Sequence, residues 1–345
     1  MSLSNLSQVL LRNSDELACS NALLVNMPVD GLYKEWLEEH PQAALHYFTN
    51  NKLAANELAR ISHPKVSHSF GAYLQVERSF DLVVIAFPKS KAELGFTLAM
   101  LANYLTPEAR VLFVGDNKGG VKSVAKLAKD YVANCHKLDS ARHCILFAGM
   151  YTAEQTPMNI DDWFHYYPLN IAGIEITVAA LPGVFSQQGL DKGTKVLLEN
   201  LPADYQGSVL DFGCGAGVIS AVLATKFENI DITALDISAL AVASSQKTLE
   251  INGLSGHVLA SDGLAEVNNT FDHIISNPPF HQGLKTHYAA TETFLAECKR
   301  YLANRGSLTV VANSFLKYQP IIEQQFGRLT TKFTENGFTV YFATK

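Results

Sequence analysis

The sequence is poor in cysteine and has no long apolar run. Its 345 residues include five scattered cysteines, an odd number with no CxxC spacing, so neither a disulfide framework nor a zinc knuckle is expected. No apolar run approaches the ~18 residues of a membrane helix, and the first residues lack the charged-then-apolar order of a signal peptide. We therefore expect a reduced, cytoplasmic protein that holds no metal and contacts no membrane.

Charge is also scarce, since only 17% of the residues are charged and the net charge is −6. An acidic chain does not bind nucleic acid by loose charge attraction, although a local basic patch is compatible with this balance. What the chain does have is a hydrophobic content of 48%. That content suffices for large cores, and the length favours two domains.

Three segments of the first half recur in the second half in the same order. Phe80–Ser90 and Phe271–His281 both begin with Phe-Asp, continue with apolar residues and reach a proline at the same offset. Separations of 191 to 197 residues between the paired segments predict two copies of one fold. The other two pairs are Tyr104–Asn117 with Tyr301–Ser314, and Cys144–Gly149 with Val340–Lys345.

The second copy alternates strand and helix patterns, which predicts a parallel, doubly wound α/β sheet. Its end differs, because two alternating runs surround Asn336-Gly337, a strong signal for a type I′ hairpin. The polar, proline-bearing stretch Thr152–Asp161 marks the boundary. We predict two tandem α/β domains, residues 1–155 and 165–345, with the sheet closed by an antiparallel hairpin.

A glycine-rich turn follows the first strand of the second copy. The segment SVLDFGCGAGVIS, Ser208–Ser220, predicts a buried strand, a turn with Gly213, Gly215 and Gly217, and a helix. Such a turn lets backbone N–H groups and a helix N-terminus approach a ligand closely. Its GxGxG spacing, preceded by Asp211, differs from the GxGxxG of dinucleotide-binding folds.

Two further acids follow the next two predicted strands. Asp236 ends a strand 19 residues after Gly217, where a carboxylate could accept both hydroxyls of a ribose. Asp262 follows the third strand, where it could face an adenine amino group. Either acid alone also fits a solvated loop or a helix cap. Because ligands of doubly wound sheets bind at the carboxyl ends of the strands, the combination predicts a nucleoside-type cofactor.

The stretch FDHIISNPPFHQG, residues 271–283, ends a buried strand in a rigid turn. Proline fixes φ and removes an N–H donor, so Pro278 and Pro279 leave a turn that has only acceptors. The carboxamide oxygen of Asn277 and the carbonyl oxygen of Pro278 could converge on one planar amino group, with Phe280 stacking on its ring. This arrangement predicts catalysis by positioning an amine for attack on a methyl group. The alternative is a tight turn with a core phenylalanine.

These motifs resemble the class I S-adenosylmethionine-dependent methyltransferases, over roughly Leu181 to Lys345: the glycine turn, the ribose acid and the [DNS]-P-P-[YF] signature of amino-nitrogen methylation. The whole chain is more similar still to the bacterial small-subunit ribosomal RNA guanine-N(2)-methyltransferases, which are tandem duplications with a degenerate first copy. The segments that carry this closer match are VGDNKGGVKS (114–123), DSARHC (139–144), LPGVFSQQGLDKGT (181–194), DFGCGAGVIS (211–220) and NPPFHQGLKT (277–286).

The resemblance implies two Rossmann-like methyltransferase folds, S-adenosyl-L-methionine as cofactor, and a guanine amine of 16S rRNA in the small ribosomal subunit as acceptor. Phe185, in the segment before the first strand, is implied as a cover over the methyl donor or is an ordinary core residue. His281 is a proton acceptor or fixes the turn by hydrogen bonding. The implied cofactor residues are Asp211, Gly213, Gly215, Gly217, Asp236, Asp262 and Phe185, and those for the target base are Asn277, Pro278 and Phe280.

The first copy lacks both motifs. Where the family pattern places a glycine turn, SNALLVNMPVDG (20–31) has no glycine before Gly31, and the counterpart of NPPF is AFPK (86–89). We therefore expect the first domain neither to catalyse nor to bind cofactor. It carries lysines at helical spacing, which form either an RNA contact or a solvated helix face on a monomeric protein. These lysines are Lys118, Lys122, Lys126 and Lys129.

Three other functions stay open. The same chemistry could act on a large-subunit (23S) rRNA guanine, a DNA adenine or a glutamine side chain; the large-subunit enzymes, also tandem duplications, are the strongest alternative. A nicotinamide oxidoreductase is disfavoured by the GxGxG spacing. A non-catalytic RNA-binding scaffold is disfavoured by the intact glycine turn together with Asn277.

Overall fold

The computed structural model describes residues 2–154, 158–278, 285–329 and 331–345. The chain divides into two compact units, Met1–Trp163 and Phe164–Lys345. Within the described ranges, no helix combines the length and the hydropathy that a membrane span requires.

The first unit is built on one sheet of seven strands. Its strands are β1 (Asn21–Val25), β2 (Ala44–Thr49), β3 (Val66–Phe70), β4 (Phe80–Ala86), β5 (Leu105–Asp116), β6 (Val132–Ala141) and β7 (Cys144–Tyr151). Its helices are α1 (Asn5–Leu11), α2 (Leu32–Glu39), α3 (Lys52–Leu58), α4 (Lys91–Leu101) and α5 (Val124–Leu127), with 3-10 turns at Ser14–Leu17, Ala102–Tyr104, Val121–Ser123 and Ile160–Trp163. The sheet order is β3-β2-β1-β4-β5-β7-β6, with β7 antiparallel to both of its neighbours.

The second unit adds an antiparallel pair, β8 (His165–Ile171) and β9 (Ile174–Ala180), before its own seven-stranded sheet. The strands of that sheet are β10 (Gly207–Phe212), β11 (Ile230–Asp236), β12 (His257–Ala260), β13 (Phe271–Ser276), β14 (Leu302–Asn313), β15 (Thr331–Glu335) and β16 (Phe338–Thr344). The helices are α6 (Lys192–Glu199), α7 (Val218–Lys226), α8 (Ala239–Ile251), α9 (Lys285–Glu297) and α10 (Tyr318–Phe326), with a 3-10 turn at Cys298–Tyr301.

Both large sheets have the same strand order, since the second one runs β12-β11-β10-β13-β14-β16-β15. The three repeated sequence segments fall on equivalent strands: β4 and β13, β5 and β14, β7 and β16. Even a backbone irregularity is shared, because Glu108 and Arg305 adopt φ values of 61° and 64° at the same place in β5 and β14. The prediction of two doubly wound domains closed by antiparallel strands is confirmed.

The central strands are mostly apolar because both faces of the sheet are covered. Successive residues of a strand point to opposite faces, and Leu23 and Leu24 of β1 accordingly belong to two different apolar clusters. Such continuous apolar runs are typical of parallel strands buried on both sides. At the outer hairpin, Asn336 and Gly337 have φ values of 50° and 81°, as a type I′ turn requires.

The prediction that four lysines share one helical face is wrong. Helix α5 contains only Val124–Leu127, so Lys118 lies in a turn before it and Lys129 lies beyond its end. Gly120 reverses the chain with a φ of 90°, a left-handed conformation that glycine adopts without steric cost. The lysines are exposed but occupy two separate turns and two short helical segments.

Candidate active site

The candidate site lies at the carboxyl ends of β11, β10 and β13, which are neighbours in the second sheet. In the parallel register, Asp211 of β10 stands between Ala234 of β11 and Ile275 of β13. The residues that follow each strand therefore meet at one edge. This edge is the topological switch point, where ligands of doubly wound sheets bind.

The glycine turn is strained for any residue with a side chain. Gly213, Gly215 and Gly217 have φ values of 75°, 54° and 78°. A Cβ on Gly217 would lie 2.6 Å from the hydroxyl oxygen of Ser245 and 2.8 Å from its Cα, so this glycine lets α7 approach α8. A Cβ on Gly215 would come no closer than 3.7 Å to any atom, the nearest being the carbonyl oxygen of Phe185. Gly217 thus serves packing, whereas a side chain on Gly215 would make only ordinary van der Waals contact with Phe185.

Asp211 is fully buried behind this turn. Its Oδ2 accepts hydrogen bonds from the backbone N–H and the hydroxyl of Ser220, at 3.1 and 2.7 Å. Its Oδ1 has no hydrogen-bond partner among the described residues. Burial raises the pKa of Asp211 to about 7, while the Ser220 hydrogen bonds oppose the shift and the nearby Asp236 adds to it. A buried carboxyl oxygen without a donor is suited to a cationic N–H group.

Asp236 is half-buried and braces the turn from the next strand. Its Oδ2 accepts the N–H of Gly215 at 3.0 Å, and its Oδ1 accepts the N–H of Ser238 at 2.9 Å. Burial raises the pKa of this carboxyl group, and the backbone hydrogen bonds act against the shift. Each carboxylate oxygen has a second lone pair, so acceptor capacity for hydroxyl groups remains. Asp262 is half-buried in the turn that follows β12.

Asn277 directly follows β13 and is buried, with 8% of its surface exposed. Its side-chain nitrogen donates to the hydroxyl oxygen of Thr194 at 2.8 Å and to Oδ2 of Asp191 at 3.1 Å. Because these two contacts use both N–H groups of the carboxamide, its orientation is fixed and its oxygen points away from α6. Pro278 is also buried. Phe280 and His281, to which roles were assigned from the sequence, lie outside the described residues.

A crevice lies between the glycine turn and Asn277. It is lined by residues of the glycine turn together with Phe185, Ser186, Thr194 and Asn277. Phe185 is 49% exposed and therefore not a core residue, and its Cβ lies 3.8 Å from the position of a Cβ on Gly215. The structure thus places Phe185, Asn277 and the glycine turn around one opening.

Two family descriptions match this chain: Methyltransferase small domain N-terminal over residues 7–167, and Methyltransferase small domain over residues 175–342. The Ribosomal RNA small subunit methyltransferase C of Colwellia psychrerythraea is 47% identical, over 99% of this chain and 98% of that protein. The protein of the same name from Pseudoalteromonas translucida is 42% identical, over 98% of each chain. The chain belongs to the ribosomal RNA small subunit methyltransferase C family.

This chain is also similar to a solved structure of a protein with the same family name. The T. thermophilus 16S rRNA N2 G1207 methyltransferase (RsmC), in complex with AdoMet and guanosine, superimposes with a TM-score of 0.84 at 26% identity. The match covers 99% of this chain and 92% of that chain. The resemblance inferred from the glycine turn, the Asn-Pro-Pro-Phe turn and the duplication is therefore confirmed.

Sequence reasoning assigned no role to two side chains of this site. Asp191 and Thr194 belong to the segment that carries the family resemblance, and an aspartate three residues before a threonine is a recognisable helix N-cap pattern. The N-cap is present, since Asp191 accepts the N–H of Thr194 at 3.0 Å. No local pattern, however, could reveal that both side chains also hold Asn277, more than 80 residues away.

Proposed function

We propose that this protein transfers a methyl group from S-adenosyl-L-methionine to the exocyclic N2 amino group of a guanine in 16S rRNA. The observation that carries this proposal is the buried carboxamide of Asn277, held beside the glycine turn with both of its N–H groups occupied. Membership of the small-subunit methyltransferase C family supports the acceptor, and the AdoMet and guanosine complex of the T. thermophilus relative supports the pair of ligands.

The residues at the strand ends fit the methyl donor. Asp211 offers an unpartnered buried oxygen to the ammonium group of the methionine part, and Gly215 of the glycine turn lines the crevice. Asp236 holds the ribose, Asp262 faces the adenine and Phe185 covers the donor from the crevice side. When bound, this cofactor supplies an electrophilic methyl group on a sulfonium sulfur.

The chain contributes mainly positioning and electrostatic complementarity to the reaction. The oxygens of Asn277 and Pro278 accept hydrogen bonds from the guanine amino group, and Phe280 stacks on the base. The nitrogen lone pair then forms the N–C bond while the C–S bond breaks and its electron pair stays on sulfur. Positive charge develops on the nitrogen, which the acceptor oxygens stabilise until the nitrogen loses a proton to solvent.

The first unit, proposed as domain 1–155, does not hold a second donor in this scheme, and domain 165–345 is the catalytic one. In the first unit the strand-end position of Asn277 is taken by Ala86, and Asn26 with a φ of 52° replaces the glycine turn. Asn50 bridges this edge: its backbone N–H donates to Oδ1 of Asn26 at 3.0 Å, and its side-chain amide donates to Glu93 at 3.1 Å.

The remaining role for the first unit is to support the second unit and to contact RNA as part of a monomer. Four exposed lysines within the stretch 118–129 supply positive charge on an otherwise acidic protein. Contacts of lysine with phosphate position a nucleic acid without reading its sequence. Recognition of the target then depends on RNA shape and on a base turned out of its stack.

The experiment is incubation of purified small and large ribosomal subunits with methyl-labelled donor, followed by nucleoside analysis. We expect label in N2-methylguanosine from 16S rRNA only. Label in 23S rRNA would show that the proposed 16S acceptor is wrong and that the large subunit is the substrate. Absence of label from both subunits and from their naked RNAs would overturn it.

A further inference from the structure

We propose that Asp191 and Thr194 are positioning residues for the reaction: together they hold the carboxamide of Asn277 in the one orientation that turns its oxygen toward the target amine. This inference rests on the proposed function, in which that oxygen accepts a hydrogen bond from guanine N2. Neither residue touches the reacting atoms, so both act through Asn277.

Asp191 and Thr194, which together we call the clamp, lie at the start of α6. Asp191 caps this helix by accepting the N–H of Thr194 at 3.0 Å, and the same oxygen accepts one N–H of Asn277 at 3.1 Å. Thr194 is 4% exposed and accepts the other N–H at 2.8 Å. Gly193 lies between them, and a Cβ there would sit 3.0 Å from the Asp191 carboxylate and 3.0 Å from the ring of Phe338. A side chain at this position would force the neighbouring side chains to shift by a few tenths of an ångström, so glycine suits the close approach of the helix start.

The two ends of a carboxamide are nearly the same size but opposite in polarity, so packing alone does not choose between them. An ionised carboxylate only accepts hydrogen bonds, and Asp191 therefore selects the nitrogen end of Asn277. A flipped amide would place its oxygen against that carboxylate and present N–H donors to the N–H donors of guanine. The carboxylate also polarises the amide, which makes its oxygen a stronger acceptor as the amine becomes positive.

The degenerate first unit provides an internal comparison. Helix α1 packs on β5 and β7 as α6 packs on the equivalent β14 and β16. The cap of α1 is Ser4, whose hydroxyl accepts the N–H of Ser7 at 3.2 Å and donates to the Ser7 hydroxyl at 3.0 Å. The capped helix is thus retained where Ala86 replaces Asn277, but its capping residue is a serine and not an aspartate. A cap does not need the acid, whereas orienting an amide does.

The test compares two isosteric substitutions in the full chain. Thr194→Val removes the acceptor for one N–H of Asn277. The control is Thr309→Val in β14, which removes a buried hydroxyl group that forms a 3.0 Å hydrogen bond with the hydroxyl of Tyr205. Each change leaves one buried group without a partner, so both should lower the Tm by similar amounts. We expect only Thr194→Val to reduce kcat, by about tenfold, the effect of one lost orienting hydrogen bond, with unchanged cofactor Kd.

Two further variants keep the test decisive if Thr194→Val folds poorly. Thr194→Ser retains the hydroxyl and should restore turnover to within about twofold of wild type. Asp191→Asn retains a good N-cap but removes the charge and admits either amide orientation, so it should lower kcat about tenfold. Wild-type turnover in both Thr194→Val and Asp191→Asn, or a loss of cofactor affinity in place of turnover, would overturn the proposal.

A readout that does not depend on activity separates this inference from the proposed function. In the free protein, the side-chain amide protons of Asn277 should exchange slowly with solvent, and Thr194→Val should accelerate their exchange, as seen by NMR. Unaltered exchange would refute the clamp itself. A wild type that shows the protected amide but methylates neither ribosomal subunit would refute the proposed function, and with it the catalytic part of the clamp's role.

Discussion

Asp211 illustrates at the scale of one residue how a site is prepared for a cation. Its carboxyl group is fully buried, close to a second acid, and satisfied at only one oxygen by the described residues. Burial raises its pKa from 3.8 to about 7, which means that the folded protein without a ligand holds a proton that the unfolded chain releases. A nearby ammonium group would favour the ionised form and remove the cost of burying it.

The stability of the ligand-free protein should therefore fall as pH rises from about 4 to about 7. The stability contributed by the raised pKa is fully present when the pH is below the unfolded-state pKa of 3.8. It is lost as the pH rises through the folded-state pKa of about 7. The loss is at most about 4 kcal/mol, at about 1.4 kcal/mol for each unit of pKa. Urea unfolding at several pH values measures it, and Asp211→Asn should flatten the curve. A curve of unchanged slope in that variant would contradict the assignment.

Binding of the methyl donor should release a proton near pH 6, because the ammonium group beside Asp211 lowers the pKa of the carboxyl group. Calorimetry in two buffers of different ionisation enthalpy counts that proton. Asp211→Asn should bind more weakly and release none. Equal proton release by both proteins would place the titration on another group.

In the proposed function, Asn277 is the residue on which methyl transfer depends most directly. Asn277→Ala should reduce kcat by about a hundredfold or more, the usual effect of removing one preorganised hydrogen-bonding group from an active site. Cofactor affinity should stay within about twofold, because the described contacts of the side chain are to α6. Turnover assays on small subunits measure the loss of kcat, and calorimetry measures the cofactor affinity. The Thr309→Val protein serves as the stability control.

At the scale of elements, the glycine turn joins two different requirements in five residues. Gly215 lines the crevice, whereas Gly217 keeps α7 and α8 close together. Both have positive φ values, so spacing alone does not separate their roles.

Alanine substitutions separate those roles. Gly217→Ala should lower the free energy of unfolding by about 3 kcal/mol, because backbone strain adds to a clash with Ser245. Gly215→Ala should cost only about 1 kcal/mol, from the strained φ of 54°, but should weaken cofactor binding. Chemical denaturation and calorimetry measure the two effects. Equal destabilisation by both substitutions would contradict this division.

The lysine stretch shows where periodicity misleads at the same scale. Lys118, Lys122 and Lys126 are spaced four residues apart, as on one helix face, yet Gly120 reverses the chain between them. A periodic pattern predicts a helix only if no residue between its members adopts a left-handed conformation. Charge and exposure are retained even though the helix is not.

At the scale of the whole molecule, the proposed function requires an acidic protein to bind a polyanion. Replacing Lys122 and Lys126 with glutamate should raise KM for small subunits without changing kcat. It should also reduce the slope of log affinity against log salt by about 1.5, the effect of two lost phosphate contacts. The control is the double variant Lys34→Glu with Lys65→Glu, which changes the net charge of the same unit by the same amount. An equal effect of both pairs would indicate general charge repulsion.

The amino-acid sequence by itself determined the features that depend on local turn chemistry and on strand and helix order. These include the duplication, the glycine turn and the type I′ hairpin at Asn336-Gly337. Each requires particular residues at adjacent positions, because proline and glycine restrict or widen φ wherever they occur.

Only the tertiary structure decided which groups are buried, which remain without a partner and which meet across the fold. The pKa of Asp211 follows from complete burial, and the orientation of Asn277 follows from Asp191 and Thr194 at the start of α6. Desolvation and long-range hydrogen bonds arise when separate elements pack together, so no short stretch of sequence contains them.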